Sequence, residues 1–417
     1  MAKNQIMILS DVHIGINAPT NWYQKKVHED LLIASLQWAQ KNDSLKELVI
    51  LGDLVDFWTY KPDFSLPSLE KIVNENPNIL GPSGELAKTV NVLGEGNVVY
   101  VNGNHDMILT PEMIKAWISP KIKTMPNGIL YYMPDFGKRT VYLTHGHIYS
   151  LLCAPDYINP PESWQNLPLG YFLTRMSALL CEIEINKLHK NNPSIVSAAD
   201  LEGQGNPLGY SVLGILENIY SEWKNGGSMN LPHLVMDGLQ PQPPNPMVDS
   251  INMPAYQGNP FEVTVNEVEK VYANLLIGMF EDPRSTYPNG SNIDPKYYAY
   301  FNNTKGALLA LGDADVLGDL TAWADGLAVS LFTAAGEPVV AFGHTHVPKL
   351  DDKHIFYTNA GFNCPAIPDM KSGKKAPTFS VIECDGDTTY KLSVNTVALS
   401  LEVQEDTNPK VLSGETL

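Results

Sequence analysis

Five short apolar runs in this chain each stop at a cluster of Asp, His or Asn, and that repetition leaves few folds open. Ile6-Met7-Ile8-Leu9 leads into Asp11-Val12-His13, and Leu48-Val49-Ile50-Leu51 into Gly52-Asp53-Leu54-Val55-Asp56. Val98-Val99-Tyr100-Val101 leads into Gly103-Asn104-His105-Asp106, and Thr140-Val141-Tyr142-Leu143 into His145-Gly146-His147. Far downstream, Pro338-Val339-Val340-Ala341-Phe342 leads into Gly343-His344-Thr345-His346. Runs of this length and composition read as buried strands. An α/β sheet gathers its chemistry at the C-terminal ends of such strands. Between the first two runs, Leu31, Leu32, Ser35, Leu36 and Ala39 share one face of a predicted helix.

The strand–motif alternation stops near residue 150 and resumes near 336. The sequence therefore predicts a catalytic core in two parts, 1–150 and 336–417, around an insertion at 151–335 that is mainly helical and placed as a cap or lid. Helices are expected at 167–188 and 208–223. Another is expected from Thr264, where Thr264 and Glu267 form a capping-box pair ahead of Val268, Val271, Tyr272, Leu275, Leu276 and Met279. After the last motif, strands are expected at 355–357, 379–382 and 390–394.

Charge and composition narrow the function. A net charge of −18 disfavours a nucleic-acid surface, which needs Lys and Arg against phosphates. It leaves room for a phosphorylated small-molecule or lipid-linked substrate, because bound cations reverse the local sign. The apolar start at residues 6–9 is too short for a signal peptide, and no stretch approaches the ~20 apolar residues of a membrane span. Cys153, Cys181, Cys364 and Cys384 are scattered as buried thiols would be. A soluble cytoplasmic protein without a transmembrane segment is expected.

Oxygen and imidazole donors without Cys suit divalent transition ions, Mn or Fe foremost, with Zn, Co and Ni compatible. Two ions about 3.5–4 Å apart can clamp a phosphoryl group and activate a water between them. They need a shared carboxylate, for which Asp53 is the candidate. Asp11, His13 and one of the two terminal histidines would complete one ion. Asn104, His145 and the other terminal histidine would complete the second.

These five motifs resemble those of the calcineurin-like metallophosphoesterase superfamily: D-x-H, G-D-x-x-D, G-N-H-[DE], a His near a Gly, and G-H-x-H. The resemblance implies a four-layer α/β/β/α sandwich. It also implies that Asp11, His13, Asp53 and His346 hold the first metal, and Asp53, Asn104, His145 and His344 the second. By the same resemblance His105 acts as general acid or phosphate-stabilising donor, and Asp106 orients it. The segments Gly52 to Trp58, Gly343 to Pro348 and Tyr357 to Gly361 are also similar to bacterial UDP-2,3-diacylglucosamine pyrophosphatases. That group, however, usually carries an acidic residue where His147 stands, and its insertion is shorter.

The implied reaction is hydrolysis of a phosphate monoester or diester by a metal-bridging hydroxide. Alternatives are a pyrophosphatase acting on a nucleotide or nucleotide-linked lipid, a DNA nuclease disfavoured by charge, and a metal-free scaffold, which would have lost ligands. Asp56 is assigned a turn or a supporting hydrogen bond. His147 and Arg175 are candidate substrate-binding residues, an ion pair being the competing role for Arg175. Six of the ten histidines lie in the motifs, and His28, His189, His233 and His354 are left as ordinary ones. Gly312-Asp313-Ala314-Asp315 imitates the second motif in a helical context and is set aside.

Overall fold

The structure, a computed structural model, describes residues 3–61, 64–126, 129–147, 153, 168–201, 250–252, 262–264, 338–346, 348–351, 356–362 and 377–413. Each of the five apolar runs is a strand: β1 (Gln5–Leu9), β2 (Leu45–Leu51), β3 (Val98–Val101), β6 (Val141–Thr144) and β9 (Val339–Phe342). They divide between two sheets. In the larger sheet β1, β2 and β3 run parallel, continuing to the short β4 (Lys123–Thr124). β12 (Thr378–Asp385) lies antiparallel to β1 and pairs with β13 (Thr389–Val397). β14 (Val403–Gln404) and β15 (Lys410–Leu412) both pair with β13. The smaller sheet has the order β10 (Lys349–Asp351), β11 (Phe356–Asn359), β9, β6, β5 (Tyr131–Tyr132), with β6, β9 and β11 parallel.

Strand periodicity explains why both faces of the larger sheet are apolar. Ile6, Ile8, Val49, Leu51, Val99 and Val101 point to one side and pack against Val141, Leu143, Val339 and Ala341 of the smaller sheet. The alternating residues Met7, Leu9, Leu48, Ile50, Val98 and Tyr100 point to the other side, into the helices. All of these are at most 1% exposed, and complete burial of a branched or aromatic side chain contributes about 1.5–3 kcal/mol. The described residues thus form a helix layer and two stacked sheets, in keeping with the α/β sandwich that the resemblance implies.

α1 (Lys25–Lys41) buries the expected face of Leu31, Leu32, Ser35, Leu36 and Ala39. α2 (Leu69–Glu75) and α4 (Pro111–Trp117) start where Ser68 and Thr110 accept from the backbone N–H groups of Lys71 and Met113. α3 (Glu85–Leu93) ends at Gly94.

Within the stretch read as an insertion, α5 (Leu169–His189) coincides with the first expected helix. Its Tyr171, Leu179, Leu180, Cys181 and Ile185 join the core cluster of the helix layer. Lys61–Glu182 and Lys26–Asp200 ion pairs and an Ala198 N–H bond to the Pro19 carbonyl fasten residues 168–201 to the core. β7 (Ser250–Asn252) and β8 (Glu262–Thr264) form a hairpin, so Thr264 closes a strand. The helices expected at 208–223 and after Thr264 lie outside the described residues, as do Cys364, His233, His354 and the Gly312–Asp315 stretch. Cys181 and Cys384 are free and buried, and Cys153 is free and half-buried. No helix among the described residues is long and apolar enough to cross a membrane.

Candidate metal centre

The five motifs meet because their strands are neighbours. β1, β2 and β3 are adjacent in one sheet, β6 and β9 in the other, and all five end at the same edge of the sandwich. The first two loops are zipped together beyond their strands: Asp11 N–H donates to Gly52 O, His13 N–H to Asp53 O (2.8 Å) and Ile14 N–H to Leu54 O. The last loop is tied to the fourth by Gly343 N–H on His145 O, and to the first by His344 N–H on Asp11 Oδ1 at 2.8 Å.

Space in these loops is tight enough to require glycine twice. A Cβ on Gly52, whose φ is +84°, would sit 2.5 Å from His145 Nδ1, and one on Gly103 would collide with the Asp53 carboxylate. Asp11, His13, Asp53, His344 and His346 themselves have φ between 54° and 69°. Side chains other than glycine in this left-handed region cost about 1–3 kcal/mol each, and such residues concentrate where function demands a particular side-chain direction.

Two constellations of donor atoms result. In the first, His13 Nε2 and His346 Nε2 stand 3.2 Å apart, with Asp11 Oδ1 3.8 Å from His346 Nε2. In the second, Asn104 Oδ1 lies 3.1 Å from His145 Nε2 and 3.0 Å from His344 Nδ1. Asp53 Oδ2 lies 3.1 Å from His145 Nε2 and 3.7 Å from His13 Nε2, facing both sets. Its other oxygen accepts from His105 N–H at 2.8 Å. Asp11 also reaches both sets, its Oδ1 being 3.9 Å from His145 Nε2. Donors 2.0–2.1 Å from one ion at 90–109° are about 2.9–3.3 Å apart, so these spacings fit shared cations. In three overlapping groups the donor atoms lie close enough together that they could hold an ion: Asp11, His13 and His346; Asp11, Asp53 and His145; and His13, Asp53 and His105. Six of the seven predicted ligands are buried, and His344 is half-buried.

The supporting bonds set which ring nitrogen faces inward. His145 Nδ1 bonds the Leu51 carbonyl at 2.8 Å, leaving Nε2 for the centre. His13 Nδ1 bonds Asp56 Oδ2 at 3.0 Å with the same consequence. Asp56 also takes His105 Nδ1 on Oδ1 at 3.1 Å, together with the N–H groups of Trp58 and Thr59. Asp56 therefore has the supporting role expected of it, and in addition the role that the resemblance implied for Asp106. Asp106 accepts from Tyr100 OH (2.6 Å), Gly103 N–H (2.7 Å) and Leu54 N–H (3.1 Å), so it braces the loops beneath the site. Its neighbour in sequence, His105, turns the other way.

Electrostatics follow from bringing four carboxylates and six imidazoles together in the interior. Burial alone would raise Asp56, yet His105 and His13 hold its carboxyl well below the usual range. Burial and nearby Asp53 push Asp106 up to about 7. Burial opposes protonation of His145, but Asp53 and Asp11 overcome it and raise the imidazole to about 9. Burial, reinforced by His145, keeps His344 down at about 3 and His147 well below its ordinary value.

His147 is fully buried 5.3 Å from the His145 ring, and neither of its nitrogens has a hydrogen-bond partner. It stands beside the donor constellations and belongs to none of the three ligand groups. Arg175 is buried outside the site, with Nη2 donating to the Lys61 and Phe64 carbonyls at 2.9 Å and the guanidinium over Tyr171.

Two aromatic residues join the site without a motif to announce them. Trp58 stacks on His105 at 4.5 Å, and Trp22 contacts His13, His105 and His346 at 4.8, 4.9 and 5.5 Å. Trp58 stands two residues past Asp56, the end of the second motif, which was a usable signal. Trp22 sits nine residues past His13 in a loop, with none.

A family model for calcineurin-like phosphoesterases matches residues 5–213, half of the chain. No curated protein matches it. The matched span holds the first four motifs, and β9 delivers His344 and His346 from beyond it into the same centre. By that match and this geometry, the chain belongs to the calcineurin-like phosphoesterase family.

Proposed function

We propose that the chain hydrolyses phosphate esters at a centre of two divalent transition ions, Mn or Fe foremost. Asp11, His13, Asp53 and His346 would hold one ion, and Asp53, Asn104, His145 and His344 the other. The observation carrying this reading is Asp53 Oδ2, which faces His13 on one side and His145 on the other. A carboxylate in that position would keep two cations close against their repulsion. Bound there, such ions would supply a Lewis-acid clamp for phosphoryl oxygens and a water of lowered pKa.

The chain's own groups do the rest. His105, fixed at Nδ1 by Asp56 and flanked by Trp58 and Trp22, presents Nε2 to protonate the leaving oxygen. His147, buried with two unsatisfied nitrogens, is placed to bond a substrate oxygen or an ordered water. Arg175 Nη2 donates to the Lys61 and Phe64 carbonyls and so ties α5 to the chain that follows the second motif.

Protein loaded with Mn²⁺ should contain two ions per chain and turn over bis(p-nitrophenyl) phosphate or p-nitrophenyl phosphate. A nucleotide-linked pyrophosphate assayed in parallel separates the pyrophosphatase alternative, and single- and double-stranded DNA the nuclease. One ion per chain would overturn the shared role of Asp53. No bound transition ion together with no turnover would overturn the hydrolase itself.

A further inference from the structure

The geometry points to Trp22 as the specificity wall of this site, selecting phosphoesters whose leaving group is an aryl ring. This inference rests on the phosphoesterase reading. Trp22 packs against the three imidazoles around the first donor set and the proton donor: edge-on to His13 and His346, and tilted at 45° to His105. Those histidines are at most 7% exposed, whereas Trp22 is half-buried, so part of the indole borders the space in front of them. A leaving oxygen that takes its proton from His105 must come within hydrogen-bond reach of that ring. Whatever the oxygen carries then lies within about one ring-width of Trp22, whose centroid is 4.9 Å from the His105 centroid.

The wall is built in advance. Asn21 Nδ2 donates to Thr59 Oγ1 at 2.9 Å, Thr20 Oγ1 to Thr59 O at 2.7 Å, and Gln24 Nε2 to Asn21 O at 2.7 Å. Thr20 and Asn21, just before Trp22, are therefore pinned to the loop that carries Asp56, and Gln24 closes the turn back onto Asn21, so docking a ring against the indole orders little further chain. A flat aromatic group gains by stacking or edge contact with an indole; an alkyl group of similar charge gains less. Trp58, stacked on His105 at 4.5 Å, is 1% exposed and packs the imidazole without meeting solvent.

The test uses two ligands that cannot be hydrolysed. Calorimetry on Mn-loaded full-length protein should show phenylphosphonate binding about tenfold tighter than methylphosphonate, the size of one favourable aromatic contact. Trp22→Leu should erase that ratio while methylphosphonate affinity and metal content stay unchanged, and Trp22→Phe should retain part of it. Equal binding of the two ligands by wild type overturns the inference, even if the Leu variant fails to fold. So does a ratio that survives Trp22→Leu, or a parallel loss for both ligands, which would make Trp22 a prop for the histidines. If wild type binds neither phosphonate, this inference is overturned, and the phosphoesterase reading is judged separately by turnover of the p-nitrophenyl esters.

Discussion

The two halves of the metal centre are held by different means. Loops of the larger sheet carry Asp11, His13, Asp53, Asn104 and His105, and they bring their own carboxylate braces. Asp56 fixes two imidazoles, and Asp106 ties three groups from β3 and the loops. Loops of the smaller sheet carry His145, His147, His344 and His346, with no carboxylate brace of their own among the described residues. His145 relies on a backbone carbonyl of the other sheet, while His346 Nδ1 and both nitrogens of His147 have no partner. One half is pre-organised by protein alone. The other half leaves three buried ring nitrogens, one on His346 and two on His147, without a protein partner.

The largest effect should come from Asp53, the residue whose carboxylate faces both halves. Asp53→Asn keeps the shape and removes the charge, so activity should fall to background and metal analysis should show both ions depleted. Full activity in that variant would mean that the halves do not share a carboxylate. His105→Ala should slow turnover by about 10²–10⁴-fold with metal content intact if, as proposed, the side chain donates a proton and holds no ion. Loss of metal in that variant would promote His105 to a ligand, as its grouping with His13 and Asp53 would allow.

Asp56→Asn sharpens the contrast on the pre-organised side. An amide can accept from one imidazole N–H but meets the other with its own donor, so His13 or His105 must change tautomer or turn. A loss of about 10–100-fold in activity or metal affinity is expected, the usual cost of removing a brace behind a ligand. Chelation sharpens the other side. Hydrogen exchange should rise after metal removal at 343–346 and 145–147 and change little at 52–56 and 103–106. Equal loosening of both halves would erase the distinction.

Much of this arrangement was legible in the order of residues, and the reasons are physical. A buried parallel strand must be apolar on both faces, so runs such as 48–51 stand out. The ligands follow at once because strand ends are where side chains converge. Other parts depend on contacts between distant segments. Asp56 and Asp106 occupy equivalent-looking places at the ends of their motifs. Only the turn after β2, which swings Asp56 under both His13 and His105, decides which of them orients an imidazole. Trp22 contacts His346 across 324 positions of chain, and no local pattern encodes that. The core role of α5 was similarly hidden: its helical spacing is plain, but Tyr171 meets Trp58 and Glu182 pairs with Lys61, both from a distant part of the chain.

The smallest effect separates burial from metal ligation as the source of acid sensitivity. His28 is fully buried on α1 among Tyr23 and Phe362, away from the centre, with Nδ1 against the Gln24 backbone. Burial lowers it from 6.5 to about 4, with the Gln24 carbonyl opposing weakly. Between those values the unfolded chain binds a proton that the folded chain refuses. Stability is therefore complete above pH 6.5 and declines as pH falls toward 4. The loss attributable to this one residue should be about 2–3 kcal/mol by pH 4.5. Denaturant unfolding of the metal-loaded protein at pH 7 and 4.5 should show a smaller decline in His28→Gln than in wild type. An identical decline in both proteins would assign the acid sensitivity to the histidines of the centre, which the ions themselves shield from protons until they are displaced.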